Sequence, residues 1–236
     1  MKPTPPRREG VGSSEPTRPP GDLSNRAVPS IGQERVEFTP PSDPRDDEGP
    51  RPAGTQLVRV ALVFYGLLFA IAVGWEALSG GSLFYATAKA QQLGVNPLRD
   101  SAAGVLAGGV AVLLSREFTR RTTSGNVLAR ALASTLGPLT MLQCIVLAVT
   151  SGVAEEALFR GVLQPRVGLV AASLIFGLMH FLPRREYAVW TATTIVAGFM
   201  LGILFEATGN LIAPTLAHVV VNAMNLRWLA VNFVTD

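Results

Sequence analysis

Residues 57–78 form an apolar stretch broken only by Arg59 and Glu76. As a helix rising 1.5 Å per residue it is about 33 Å long, enough to cross a hydrocarbon layer of about 30 Å. Five further apolar stretches come later in the chain, at residues 101–115, 138–163, 167–181, 187–206 and 211–233. A bilayer interior offers the backbone no water, so a chain crosses it as helices or as a closed barrel. Runs this long, without the alternation of a barrel strand, fit helices. The expected fold is all-α: a multi-pass membrane protein of about six transmembrane helices.

The start of the chain is different in kind. Its first 54 residues hold 12 of the 17 prolines and 17 of the 37 charged side chains, but only 9 hydrophobic residues. Such a segment cannot bury enough apolar surface to offset its ordering entropy. Residues 1–54 are therefore expected to be a disordered Pro- and charge-rich tail, and 55–236 the membrane domain. Arg7-Arg8 has no apolar run close behind it, so neither a secretory nor a twin-arginine signal is expected there.

The net charge of +3 divides as −1 in the tail (8 basic, 9 acidic) and +4 beyond it (12 basic, 8 acidic). These basic residues lie between apolar runs rather than in a stripe interleaved with aromatics, which argues against nucleic acid as a partner. Residues 116–130 carry four arginines against one glutamate and read as a polar loop. Residues 83–93 read as a short interfacial helix, and Trp75 as an interfacial anchor. Pro165, Pro183 and Pro214 are expected in turns or first helical turns, where a missing amide donor costs little. Cys144 is the chain's single cysteine, so no intrachain disulfide forms, and it reads as a small core residue.

An ionisable side chain at the centre of a bilayer costs at least about 2.5 kcal/mol, so the few that are kept ask for a reason. One apolar helix carries Glu155, Glu156 and Arg160. Glu156 and Arg160, four apart, share a face and suit an ion pair. Glu155 points about 100° away and is free for another partner. Both histidines of the chain, His180 and His218, lie in apolar stretches, and His218 shares a helix face with Asn222 at i and i+4. With about 1.5 Å per residue, Glu155, His180, His218 and Asn222 lie ~12, ~20, ~10 and ~16 Å below one membrane face, a single slab within which they can converge. A lone intramembrane histidine is commonly an interhelical hydrogen-bonding residue; two of them beside an unpaired glutamate suit a site.

Three short motifs stand in order: Glu155-Glu156-Ala157-Leu158-Phe159-Arg160, Phe176-Gly177-Leu178-Met179-His180, and His218-Val219-Val220-Val221-Asn222. Together they resemble the E-E-x-x-x-R, F-x-x-x-H and H-x-x-x-N signature of the CPBP (CAAX protease and bacteriocin-processing, or Abi) family of intramembrane proteases, over a core of about 138–234. The resemblance implies that Glu155 is a general base working with His180 on a water. It implies further that His218 and Asn222 hold the developing oxyanion, and that Glu156 and Arg160 brace the helix with Phe176 in the supporting shell. An intramembrane carboxylate can take and return a proton, and imidazole and carboxamide donors suit a tetrahedral intermediate.

The resemblance admits zinc as a cofactor, on Glu155, His180 and His218. A metal-free mechanism is favoured, because the helical H-E-x-x-H pattern is absent. The implied partners are a membrane-anchored protein or peptide substrate and the lipid bilayer. The implied location is the inner (cytoplasmic) membrane of a bacterium, with the N-terminal tail in the cytoplasm by the positive-inside bias. Two other classes are compatible with the residues: a non-catalytic membrane protein of the same fold, such as a bacteriocin-immunity factor or partner subunit, and a small transporter using Glu155 and His180 as a proton relay.

Overall fold

A computed structural model describes residues 53–234. Apart from its last two residues, the expected disordered tail lies outside the described residues. The described residues are helical, with α1 at Ala53–Ser79, a short α2 at Ala88–Leu93, α3 at Pro97–Arg121, α4 at Thr123–Leu136 and α5 at Met141–Glu156. A π-helical turn, Ala157–Leu163, continues α5 into α6, Gln164–Leu178. A 3-10 turn, Arg185–Tyr187, precedes α7, Ala188–Thr208, and α8 is Ile212–Asn232. The one strand-like feature among them is an isolated bridge between Tyr85 and Asn210. The chain is an all-α membrane protein.

Four helical stretches are long and apolar enough to cross a membrane: Gly54–Ser79, Pro97–Arg121, Met141–Leu178 and Arg185–Thr208. The third is 38 residues long, about twice what one crossing needs. It reverses at Gly168, whose φ of 81° and ψ of 167° no L side chain adopts comfortably. The positions of Glu155 and His180 require the reversal: on a straight helix they would be about 37 Å apart, yet their side chains stand 3.8 Å apart. The turn therefore comes at Gly168, past Pro165, and not directly after residue 163. α8 has 21 residues but carries His218, Asn222, Asn225 and Arg227 spread along it, and it is not among the four. Counting α5 and α6 separately and adding α8, each of the six stretches expected to cross is helical.

Local chemistry fixes the ends. Asn96 accepts from the Arg99 amide at the start of α3, so the expected span at 101–115 begins at Pro97. Thr140 and Gln143 form a capping box that starts α5 at Met141. The arginine-rich segment 116–130 is not a loop. α3 runs on to Arg121, and Thr122 caps α4 by accepting from the Gly125 amide. The Glu117–Arg121 ion pair and the 2.8 Å Arg130–Asn126 hydrogen bond, each at i and i+4, support helix through it. Charge density there marks exposure to water, not loss of helix. Of the expected interfacial helix at 83–93, only Ala88–Leu93 is helical, because Phe84 and Ala86 pair with Leu211 and Gly209 through backbone hydrogen bonds of 3.1 and 3.0 Å.

α8 is the inner helix. On one side it meets α3, where a Cβ at Gly104 or Gly108 would lie 2.5 Å from the Ala213 carbonyl or 2.8 Å from that of Ala217. This is the small-residue packing that lets membrane helices touch through their backbones. Ala217 joins Phe159, Phe176 and Leu201 in a buried cluster. At one end of the bundle, Asp100, fully buried, accepts from Asn210 at 2.8 Å, and Arg166 clamps α1 through Glu76 and Ser79. At the other end, Tyr187 bonds Thr135 at 2.9 Å, and Arg130 lies over the Phe233 ring.

Candidate active site

Glu155 and Glu156 are the last two residues of α5, and both are buried. Adjacent on a helix, they diverge by about 100° and meet different neighbours. Glu156 Oε1 accepts from Arg160 Nη1 at 2.8 Å and lies 2.8 Å from His218 Nδ1 on α8. The expected Glu156–Arg160 pair is therefore formed, fully buried, and extended by a third member. Arg160 Nη2 donates to the Gly198 carbonyl on α7 at 3.0 Å, and its guanidinium lies 4.4 Å above the Phe176 ring. One ion pair thus joins the α5–π segment to α6, α7 and α8. The π turn begins directly after Glu156; π turns are rare and concentrate at functional sites.

Glu155 faces the other way. Its Oε2 is buried and has no hydrogen-bond partner within the described residues. It stands 3.8 Å from His180 Nε2 and 3.9 Å from His218 Nε2. The tautomers are set by the other ring nitrogens. His180 Nδ1 lies 2.8 Å from the Phe176 carbonyl, which can only accept, so Nδ1 carries the proton and Nε2 of the neutral ring presents a lone pair. His218 Nδ1 likewise donates to the Glu156 carboxylate. The His180 ring is held by a tilted contact with Phe176 and an edge contact with Trp190, centroids 4.9 and 5.4 Å away. Both imidazoles are fixed from behind, with Nε2 turned to one carboxylate oxygen.

Asn222, one turn beyond His218, donates from Nδ2 to Ser151 Oγ at 2.9 Å. The structure thus gathers Glu155, His180 and His218 at one point, with Glu156, Arg160 and Phe176 behind them and Asn222 alongside. Two neighbours were missed from the sequence. Tyr65 of α1 turns its hydroxyl towards the Glu155 carboxylate, and Ser151 holds Asn222. For Tyr65 a signal existed, since its hydroxyl is the one polar side-chain group in the middle of an otherwise apolar stretch.

Zinc bonds nitrogen and oxygen donors at about 2.0–2.2 Å, which sets ligands of one tetrahedral ion roughly 3.4 Å apart. Glu155 Oε2 is more distant than that from both imidazoles. Among the described residues no three His, Cys, Asp or Glu side chains are arranged to hold an ion. As they stand, the three residues do not fit zinc.

The family model described as Type II CAAX prenyl endopeptidase Rce1-like matches residues 137–224. All three motifs, from Glu155 to Asn222, lie inside the match. Over residues 137–224 the chain is similar to that family. The matched segment includes α5, the π turn, α6, α7 and the first part of α8, and so every residue that converges on Glu155 except Tyr65. The chain is also similar to the uncharacterized protein YpbD of Bacillus subtilis (strain 168), at 42% identity over 80 residues. That match takes in 34% of this chain and 42% of YpbD, so the chain spans less than half the length of this relative. No solved structure matches the chain.

Proposed function

We propose that the protein is an intramembrane endopeptidase that hydrolyses a peptide bond in a membrane-associated protein or peptide. The observation that carries this reading is Glu155 Oε2, buried, unpaired within the described residues and faced by Nε2 of both histidines. Separations of 3.8 and 3.9 Å are too long for direct hydrogen bonds and suit a single bridging water. The Rce1-like match over the same residues supports a protease of the CAAX type.

In this reading Glu155 takes a proton from the water as general base, while His180 Nε2 accepts a hydrogen bond from the second hydrogen and aligns the oxygen. The hydroxide adds to the scissile carbonyl. The oxyanion is met by the Asn222 carboxamide and by His218. Because His218 Nδ1 donates to Glu156, its Nε2 can donate to the oxyanion only when the ring carries both protons, and Glu156 supplies the counter-charge. Donors preset in this way are worth about 2.7–4 kcal/mol each in a dry site. Glu155 then returns its proton to the leaving amine, which gives an acid, an amine and the original carboxylate. Glu156 and Arg160 touch no substrate; they hold His218 and the π turn in place.

The proposed location is the cytoplasmic membrane of a bacterium, with both termini on the cytoplasmic side. The relative YpbD is bacterial, and Arg116, Arg120, Arg121, Arg130, Arg184 and Arg185 sit between passes on a common side. With that orientation the site lies towards the outer leaflet and suits an exported protein cut near its membrane anchor. The mechanism is metal-independent, so strict chelation leaves processing intact, whereas loss with rescue by zinc would reverse that assignment. The deciding experiment compares terminal peptides of membrane proteins from cells producing the wild type or Glu155→Ala. At least one membrane protein keeps an extra N- or C-terminal segment in the Glu155→Ala cells; identical termini would overturn the reading.

A further inference from the structure

We propose that Ser151 is a positioning residue for Asn222, and through Asn222 for the carbonyl oxygen of the bond being cut; the proposal rests on the endopeptidase reading of the Glu155 site. α5 and α8 present matching i, i+4 pairs: Ser151 and Glu155 on one helix, His218 and Asn222 on the other. Glu155 faces His218 and Ser151 faces Asn222, so the pairs register antiparallel. Gly152 makes the register possible, since a Cβ there would lie 2.8 Å from Val219 Cγ2.

The bond between Ser151 and Asn222 has a direction. The buried Ser151 hydroxyl donates to the Ala148 carbonyl at 3.3 Å, and a carbonyl can only accept. Ser151 Oγ is left with lone pairs alone for Asn222, which must turn its NH2 group, not its carbonyl, towards α5. One Nδ2 hydrogen is spent on Ser151 at 2.9 Å. The other has no partner among the described residues and is available to an incoming oxygen. Without the serine hydroxyl the carboxamide has no reason to prefer this orientation over the flipped one, which would set a carbonyl against the oxyanion. Ser151 lies four residues before the first motif and carries no ionisable group.

The test uses full-length protein in proteoliposomes and a quenched fluorogenic peptide copying the processed terminus that the Glu155→Ala comparison identifies. Ser151→Ala lowers kcat about tenfold, less than loss of an oxyanion donor itself, while KM stays within about twofold. Ser151→Thr, which keeps the hydroxyl, recovers most of the rate. In an Asn222→Ala background, Ser151→Ala has no further effect on kcat. Wild-type kcat in Ser151→Ala, or independent losses that multiply in the double variant, would overturn the proposal. Wild-type cleavage by Glu155→Ala would instead defeat the assignment of the base, whatever Ser151 does. Melting temperatures of the wild type, both single variants and the double variant test the contact without catalysis: a double-variant loss smaller than the sum of the single losses supports it, and strict additivity overturns it.

Discussion

Adjacent glutamates with opposite surroundings make the sharpest contrast at the scale of the residue. Glu156 shares one oxygen between Arg160 and His218, both at 2.8 Å, whereas Glu155 Oε2 bonds nothing among the described residues. Removing one partner of a buried ion pair strands the other charge and costs about 3–5 kcal/mol. Arg160→Ala is therefore expected to lower the melting temperature in detergent sharply and to reduce yield. Arg160→Lys rescues little, because an ammonium cannot reach both Glu156 and the Gly198 carbonyl in the guanidinium's fork geometry. Glu155→Ala behaves in the opposite way: melting stays near wild type while turnover falls at least about a thousand-fold, since it removes the proposed general base and leaves the buried Glu156–Arg160–His218 group intact. A Glu155→Ala protein that unfolds, or one that still turns over, contradicts this division. The pairing of Glu156 with Arg160 was legible from a four-residue spacing. The third partner, His218, was not, because it comes from a helix 62 residues away and no local pattern encodes that meeting. Ser151 was silent for a related reason: a hydroxyl that satisfies itself on its own helix leaves no mark in a sequence.

At the scale of the element, two departures from regular α-helix deliver the site. The π turn at Ala157–Leu163 and the positive-φ Gly168 stand between Glu155 and His180, and at Gly168 the 38-residue helical run folds back on itself. The return is sealed by Phe159 against Phe176, edge to face with centroids 5.0 Å apart. Gly168→Ala forces a Cβ into a positive-φ, extended-ψ conformation that is essentially confined to glycine, at about 1–3 kcal/mol. It is expected to lower both melting temperature and kcat, because the angle of the return sets the distance between His180 and Glu155. A loss of stability with kcat unchanged would show that the return is set elsewhere. The apolar runs announced the helices well, since their length is dictated by the bilayer. Their ends were less legible. Four arginines in 116–130 suggested a loop, yet charge at an interface is as compatible with α3 and α4 as with coil, and Thr122 decides where one stops and the other starts. The π turn had no signal at all, because its sequence, Ala157 to Leu163, is ordinary for an α-helix.

The whole molecule sorts its polar groups into three layers. One end of the bundle holds Asp100, Asn210, Arg166 and Glu76 in direct contacts. The other holds the arginines of α3 and α4 with Tyr187 and Thr135. The Glu155 site lies between them, on helices whose lipid-facing surfaces are apolar. Six proposed passes, alternating in direction, would put residues 116–137 and 182–187 and the end of α8 on one side, and residues 80–96 and 209–211 on the other. That alternation is testable as a unit, since an error of one pass inverts every later helix. The first side carries six of the arginines, and basic residues in short loops near span ends set orientation, so the proposed orientation has it facing the cytoplasm. A reporter fused after Asp236 is expected to be active only as a cytoplasmic reporter, and one inserted at Gly209 only as an exported one. Both reporters in one compartment would remove a pass, and α8, which lies between them and is not among the four stretches apolar enough to cross, is the one to give up. Both reporters inverted would keep six passes but turn the site towards the cytosolic leaflet. The substrate class would then shift from exported proteins to lipidated cytosolic C-termini, with Glu155, His180, His218 and Asn222 unchanged in their roles.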